Sequence, residues 1–216
     1  MTPLRVTAHL TGPVCLPNGP VALDSLLQAA VAQRDGLPPP ASARECVDLP
    51  IPIAIERGIY LASVSLYDVE LREADWTNRR FPIGEAQDLA GPRLRRIQIT
   101  AGPAKSYRLP RERLHLVGDE MRWCAIGERN AVADLLTGWI PYVGKRRAVG
   151  LGRVVRWEVT ACEPWGAGFP VLLEGRPLRS LPLDWPGLSP DAERAHATLS
   201  PPYWDMSRRV ECAVPS

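Results

Sequence analysis

The stretch Gly144-Lys145-Arg146-Arg147-Ala148-Val149-Gly150-Leu151-Gly152, with Arg153 and Arg156 just beyond it, sets three glycines among closely spaced cations. Glycine admits positive φ and lets the backbone approach a ligand closely, while adjacent cations and exposed backbone N–H groups favour an oxyanion such as phosphate. Read chemically, this is an anion-holding loop. Read structurally, the same glycines serve a tight helix-to-strand connection.

Two better-known phosphate loops do not fit. A P-loop needs four residues between its glycines and a Ser or Thr after the Lys; here Gly138 to Gly144 encloses five, and Arg146 follows Lys145. A dinucleotide-binding turn needs a third glycine where this chain has Val155, and it must open a helix, whereas Val154 to Val159 alternates as a strand does. No nucleotide cofactor is therefore expected.

Other reactive groups are sparse. Metal-independent cleavage of RNA needs an acid and a base beside the scissile phosphate, and only His9, His115 and His196 are available, with His9 at the end of the first strand. Asp119-Glu120 and Asp191/Glu193 lack companions at metal-ligand spacing, so no metal is assigned. Cys15, Cys46, Cys124, Cys162 and Cys212 form no close pair and have no adjacent His; they read as buried apolar residues in a reducing compartment.

The chain of 216 residues is long enough for a substantial core, and its net charge of +2 conceals an asymmetry. From Arg72 to Trp157 there are 17 Lys and Arg against 9 Asp and Glu, whereas the flanks carry 9 against 15. The middle is thus a footprint for a polyanion. Only Lys105 and Lys145 are lysine; arginine suits bidentate phosphate recognition, but an Ala-, Pro-, Gly- and Arg-rich composition also follows from GC-rich coding, so clustering carries the argument. No apolar run is long enough for a bilayer, and the N-terminus lacks the parts of a signal peptide, so a soluble, cytoplasmic protein is expected.

The elements that must position the loop follow from periodicity. Leu4 to Leu10 alternates as a half-buried strand, and Val21 to Arg34 places Leu23, Leu26, Leu27, Ala30 and Val31 on one helical face ended by Gly36. Leu49 to Ile55 is a proline-interrupted edge, and Tyr60 to Glu70 the clearest strand. It leads to Trp76-Thr77-Asn78-Arg79-Arg80-Phe81, where aromatics and cations together suit stacked bases and phosphates. Arg93 to Thr100 reads as a strand, 101–113 as a basic excursion, and Leu114 to Val117 with Met121 to Cys124 as a hairpin. Glu128 to Trp139 is a helix, and Arg153 to Ala161 the last strand. With insertions removed the order is β-α-β-β-α-β, an α+β, ferredoxin-like (RRM-like) domain over 1–162 with a basic thumb or hairpin inserted at about 101–124. Residues 163–216 read as a Pro-rich irregular extension that packs Trp165, Trp185 and Trp204 on the core.

A ferredoxin-like chain whose second helix enters a Gly-Lys-Arg-Arg-x-x-Gly-x-Gly loop and then the last strand resembles the RAMP superfamily of CRISPR effector proteins. Over its whole length, with Thr11-Gly12-Pro13-Val14 before the first helix, the segment from Trp76 to Phe81 and the Tyr203-Trp204 ending, it is similar to the type IV effector's small non-repeating subunit, the counterpart of the five-type Cas protein. The resemblance implies a non-catalytic subunit that caps the 5′ handle of the guide RNA and contacts the repeating backbone subunit and the large subunit. A contact with target DNA next to the protospacer stays open, and no membrane or cofactor is implied.

The expected RNA-binding residues are Gly144, Lys145, Arg146, Arg147, Gly150, Gly152 and Arg153 in the loop, Trp76, Arg79, Arg80, Arg95, Arg96, Lys105, Tyr107, Arg108 and Arg111 in the basic middle, and Tyr142 as a stacking partner. Two other classes compete: a metal-independent endoribonuclease processing CRISPR repeat RNA around His9, and a protein-interaction scaffold whose basic face meets an acidic partner.

Overall fold

The computed structural model describes residues 1–17, 19–38, 48–79 and 107–215, with the backbone alone given at 75, 77–79 and 107–111. The fold is mixed α/β with small antiparallel sheets. Strand β1 (Thr2–Leu10) is the centre of a three-stranded sheet. It pairs antiparallel with β6 (Glu120–Gly127) on one side and β7 (Val154–Ala161) on the other. The alternation seen in the sequence is realised: Leu4, Val6 and Ala8 are fully buried on one face, opposite Met121, Trp123 and Ala125.

That face is covered by helices α1 (Leu23–Arg34) and α2 (Arg129–Trp139). Each turns a stripe at helical spacing onto the sheet, Leu23, Leu27, Ala30 and Val31 from α1 and Val132, Leu135 and Leu136 from α2, and these join the main core. The opposite face of the sheet carries Arg5, Thr7, His9, Glu120, Arg122, Arg156 and Glu158, which are one residue out of phase with the core set.

Tyr60 to Glu70 does not form the continuous strand its periodicity suggests. Strands β2 (Ile55–Glu56) and β3 (Ile59–Tyr60) make a tight hairpin, after which the chain is extended but held only by single bridges, Ala62 to Ala125, Leu66 to Arg122 and Val64 to Ala22. The reason is that its backbone groups are shared between neighbours. Ser63 N–H donates to Cys124 O at 2.8 Å and Leu66 N–H to Arg122 O at 2.7 Å, whereas Val64 N–H donates to Leu178 O and Ser65 N–H to Val21 O, each at 2.8 Å. Alternate burial was legible, but one regular ladder was not what satisfied it.

The expected hairpin between 114–117 and 121–124 is also different. Strand β4 (Val69–Arg79) pairs with β5 (Tyr107–Leu116) in a two-stranded ribbon, with register from Val69 opposite Leu116 to Arg79 opposite Tyr107. Its base is tied by Arg72 to Glu112 and His115 to Glu73, both at 3.1 Å. A short 3-10 turn at Val117–Asp119, with Gly118 at φ 66°, then sends the chain into β6. Strand β6 carries the fully buried Met121, Trp123 and Ala125, so it joins the core sheet rather than β5. Among the described residues the excursion therefore leaves at β4, earlier than expected, and Trp76 lies inside a strand. The strand expected at Arg93 to Thr100 lies outside the described residues.

The C-terminal part builds a second core of Ile59, Leu61, Val171, Leu172, Leu181 and Trp185. It includes two short hairpins, β8 (Leu172–Leu173) with β9 (Arg176–Pro177) and β10 (Arg194–Ala197) with β11 (Val210–Ala213). Trp185 is buried as expected, whereas Trp165 and Trp204 stay exposed.

What ties this part to the helical layer is Arg179, only 2% exposed. Its Nη1 donates to the carbonyls of Tyr60 (2.6 Å) and Ala62 (3.1 Å). Its Nη2 donates to Asp24 Oδ2 (3.1 Å), Leu199 O (2.7 Å) and the Tyr203 hydroxyl (2.6 Å), and that hydroxyl donates to Asp24 Oδ2 at 2.7 Å. Burial alone would lower the pKa of Arg179, but Asp24 and Tyr203 raise it above its ordinary value, so the guanidinium stays charged. Among the described residues, no helix is long and apolar enough to cross a membrane.

Candidate nucleic-acid interface

Helix α2 ends at Trp139, and the chain closes into a neck in which Val143 N–H donates to Gly152 O at 2.8 Å and Val154 N–H to Pro141 O at 2.9 Å. The glycine-rich loop stands on this neck. It contains a 3-10 turn at Arg147–Val149, and positive φ at Gly144 (82°), Arg146 (66°), Gly150 (84°) and Gly152 (68°). Arg146 takes a left-handed conformation that the sequence reading reserved for the glycines.

The loop is docked on residues 13–16: Lys145 N–H donates to Cys15 O and Gly152 N–H to Pro13 O, each at 2.9 Å. Glycine is required here for space as well as for φ. A Cβ at Gly152 would lie 1.9 Å from Val143 O, and one at Gly144 2.6 Å from Cys15 O, while at Gly150 it would meet open space. Gly152→Ala is therefore expected to destabilise the fold by about 3 kcal/mol, because backbone atoms must move. Gly150→Ala is expected to cost only the left-handed penalty of about 1 kcal/mol. Thermal unfolding of the two variants checks this ordering; equal midpoints would contradict it.

The same bonds correct one expectation. The N–H groups of Lys145 and Gly152 are used in docking, and those of Val149 and Gly150 donate to Arg146 O (3.1 Å) and Arg147 O (2.9 Å). These four N–H groups are therefore spent within the fold, and what the loop presents most openly is its cationic side chains. Lys145, Arg147 and Arg153 are exposed on it, Arg146 is half-buried, and Tyr142 is half-buried where it bridges to Arg153. Arg156 leaves this group: its Nη2 lies 3.4 Å from Glu158 Oε2 and 3.1 Å from His9 Nε2, on the open face of the sheet.

His9 sits between two carboxylates, with Nδ1 3.3 Å from Glu120 Oε1 and Nε2 3.2 Å from Glu158 Oε2. Glu120 also pairs with Arg122 at 3.5 Å. This open face is a lattice of ion pairs with no aromatic among the described residues of β1, β6 and β7 that point there.

The other predicted residues that are described fall on the ribbon. Trp76 is half exposed in the middle of β4, and Arg79, Tyr107, Arg108 and Arg111 are placed on the distal half of the ribbon by its register. Arg80, Arg95, Arg96 and Lys105 lie outside the described residues. Those predicted residues that are described thus belong to two separate elements, the loop between α2 and β7 and the ribbon β4–β5.

The sequence reading missed two places. Arg179, Asp24 and Tyr203 were not linked because they lie far apart in the chain. A groove of about 400 Å³ between α1, α2 and residues 50–52, bordered by Arg34, Asp134 and Trp139, was missed because each of these reads alone as a solvent-facing helical residue.

Comparison with known proteins gives one family: the model described as Csf3, CRISPR type IV associated protein, matches residues 67–215, more than half of the chain. No curated protein matches.

Proposed function

The chain belongs to the Csf3 family of CRISPR type IV associated proteins, and from that premise we propose that it is the RNA-binding, non-catalytic subunit that holds the 5′ handle of the guide RNA in a cytoplasmic type IV effector. It packs there against the repeating backbone subunit and the large subunit. The observation that carries this reading is the loop, a rigid basic turn whose exposed Lys145, Arg147 and Arg153 project from a backbone fixed by hydrogen bonds at both ends. A backbone already held in place loses no further freedom when its side chains grip phosphate, which favours positioning of a strand.

We take the core to be a ferredoxin-like domain of the RAMP kind. Supporting this, the extended segment around Ala62 and Leu66 bridges to β6, and the sheet continues as β6-β1-β7 with both helices on one face. The fourth strand of such a domain is then reduced to bridges because its other side bonds α1's entry and the C-terminal part. The open face of the sheet, ion-paired and without aromatics, is poorly suited to stacking bases, so RNA is held by the loop and by the ribbon carrying Trp76, Arg79, Tyr107, Arg108 and Arg111.

Cleavage is disfavoured by the surroundings of His9. Both ring nitrogens are already engaged, Nδ1 by Glu120 at 3.3 Å and Nε2 by Glu158 at 3.2 Å and Arg156 Nη2 at 3.1 Å, so neither is left open to a ribose hydroxyl or a leaving oxygen.

The test is binding of the purified protein to labelled guide RNA with and without its 5′ handle, in EDTA across a salt series, with products run on a denaturing gel. Handle-dependent binding with intact RNA is expected. A discrete product that disappears in His9→Ala would replace this reading with an endoribonuclease, and assembly with partner subunits that resists salt and needs no RNA would replace it with a scaffold.

A further inference from the structure

The groove between α1, α2 and residues 50–52 is concave and mainly apolar, with walls from Val31, Ile51 and Leu135 and a rim of Arg34, Asp134 and Trp139. Its volume of about 400 Å³ lies within the range of small-molecule sites, roughly 300–1,000 Å³. Two of its groups are unspent. The indoles of Trp123, Trp157 and Trp165 each donate their N–H to a backbone carbonyl at 2.7–2.8 Å, whereas Trp139, 38% exposed, has no such bond among the described residues. Asp134 is exposed and has no ion pair among the described residues, while Arg34 is already held by Asp35, with Nε at 2.7 Å and Nη2 at 3.2 Å.

We propose that this groove takes a guanine base of the bound RNA, stacked on Trp139 and held by Asp134, which accepts hydrogen bonds from the base's N1–H and 2-amino group. The proposal rests on the RNA-binding reading above. A carboxylate selects guanine because this base presents two adjacent donors on one edge. Adenine and cytosine set an acceptor beside their amino group, and uracil flanks its one N–H with acceptors, so each turns a lone pair toward the carboxylate. Asp134 disfavours a phosphate inside the groove, while the exposed face of Trp139 and the apolar walls suit a neutral planar ring that carries donors for the carboxylate. Trp139 precedes Lys145 by six residues, at most about 20 Å of extended chain, so the Trp139 end of the groove lies close enough to the basic loop for one bound strand to meet both.

The experiment is equilibrium dialysis of the full chain against guanosine, inosine and adenosine 5′-monophosphates at millimolar concentration. Inosine keeps N1–H but lacks the 2-amino group, and is expected to bind about tenfold more weakly than guanosine or worse, with adenosine weaker still. The isosteric Asp134→Asn is expected to abolish the preference, and Trp139→Ala to weaken all three about tenfold. Absence of guanosine monophosphate binding, equal binding of the three, a preference unaffected by Asp134→Asn, or displacement by N-acetylarginine amide at comparable concentration would overturn the proposal, the last pointing to a protein side chain instead. If RNA is bound through the loop but the nucleotides are not discriminated, the guanine site alone fails. If the nucleotides are discriminated but no RNA is bound, the site stands and the RNA reading fails.

Discussion

Replacing Arg179 by alanine is expected to lower the unfolding free energy by about 3–5 kcal/mol, because it strands the fully buried carboxylate of Asp24 without its cation. It also leaves the carbonyls of Tyr60, Ala62 and Leu199 without the guanidinium donors they now accept from. A domain of this size has only about 5–15 kcal/mol to lose, so the C-terminal part should detach or the whole chain unfold at a much lower midpoint. Urea unfolding followed by far-UV circular dichroism and by tryptophan fluorescence reads both outcomes. Two comparisons isolate the cause. Tyr203→Phe removes one hydroxyl bonded to both partners and should cost about 1–2 kcal/mol. Asp24→Asn combined with Arg179→Met removes both charges, and should recover part of the loss seen with Arg179→Ala. A single Arg179→Ala variant within about 1 kcal/mol of the parent would show that this network is not what joins the two parts.

Reversing Lys145 and Arg147 to glutamate together is expected to weaken guide-RNA binding by about 100-fold or more at low salt, each lost charge-assisted contact being worth about 1.5–3 kcal/mol. The slope of log affinity against log salt should fall by about 1.4, from about 0.7 per single-strand phosphate contact. Both side chains are exposed, so the thermal midpoint should stay within a few degrees of the parent. That separates this variant from Gly152→Ala, whose loss of affinity would accompany loss of structure. Unchanged affinity and salt slope in a folded double variant would remove the loop from the RNA interface and leave the ribbon as the place to look.

Two kinds of residue escaped the sequence for different reasons. The ribbon was misplaced because β5 shows an inward alternation only at its base, where Leu114 and Leu116 are buried in the main core; the stretch before them, Tyr107 to Arg113, is mainly polar and basic in sequence and carries no apolar period to read. Arg179 sits in a proline-rich stretch without periodicity, and nothing nearby in sequence marks it as buried; only its five polar partners, drawn from three distant segments, make burial tolerable.

What the sequence determined by itself was local. The alternation of β1 and β6 and the helical stripes of α1 and α2 are periodic patterns written within ten or so residues, and the glycines of the loop announce positive φ wherever the chain goes. What only the tertiary structure decided was partnership: that β6 leaves β5 for β1, that the N–H groups of Lys145 and Gly152 are spent on docking the loop to residues 13–16, and that Asp134 and Trp139 border a groove with Arg34. The physical reason is that burial periods depend on nearest neighbours along the chain, whereas hydrogen-bond and ion-pair partners are chosen among whatever groups the packed core brings together, and that choice is made only when the core closes.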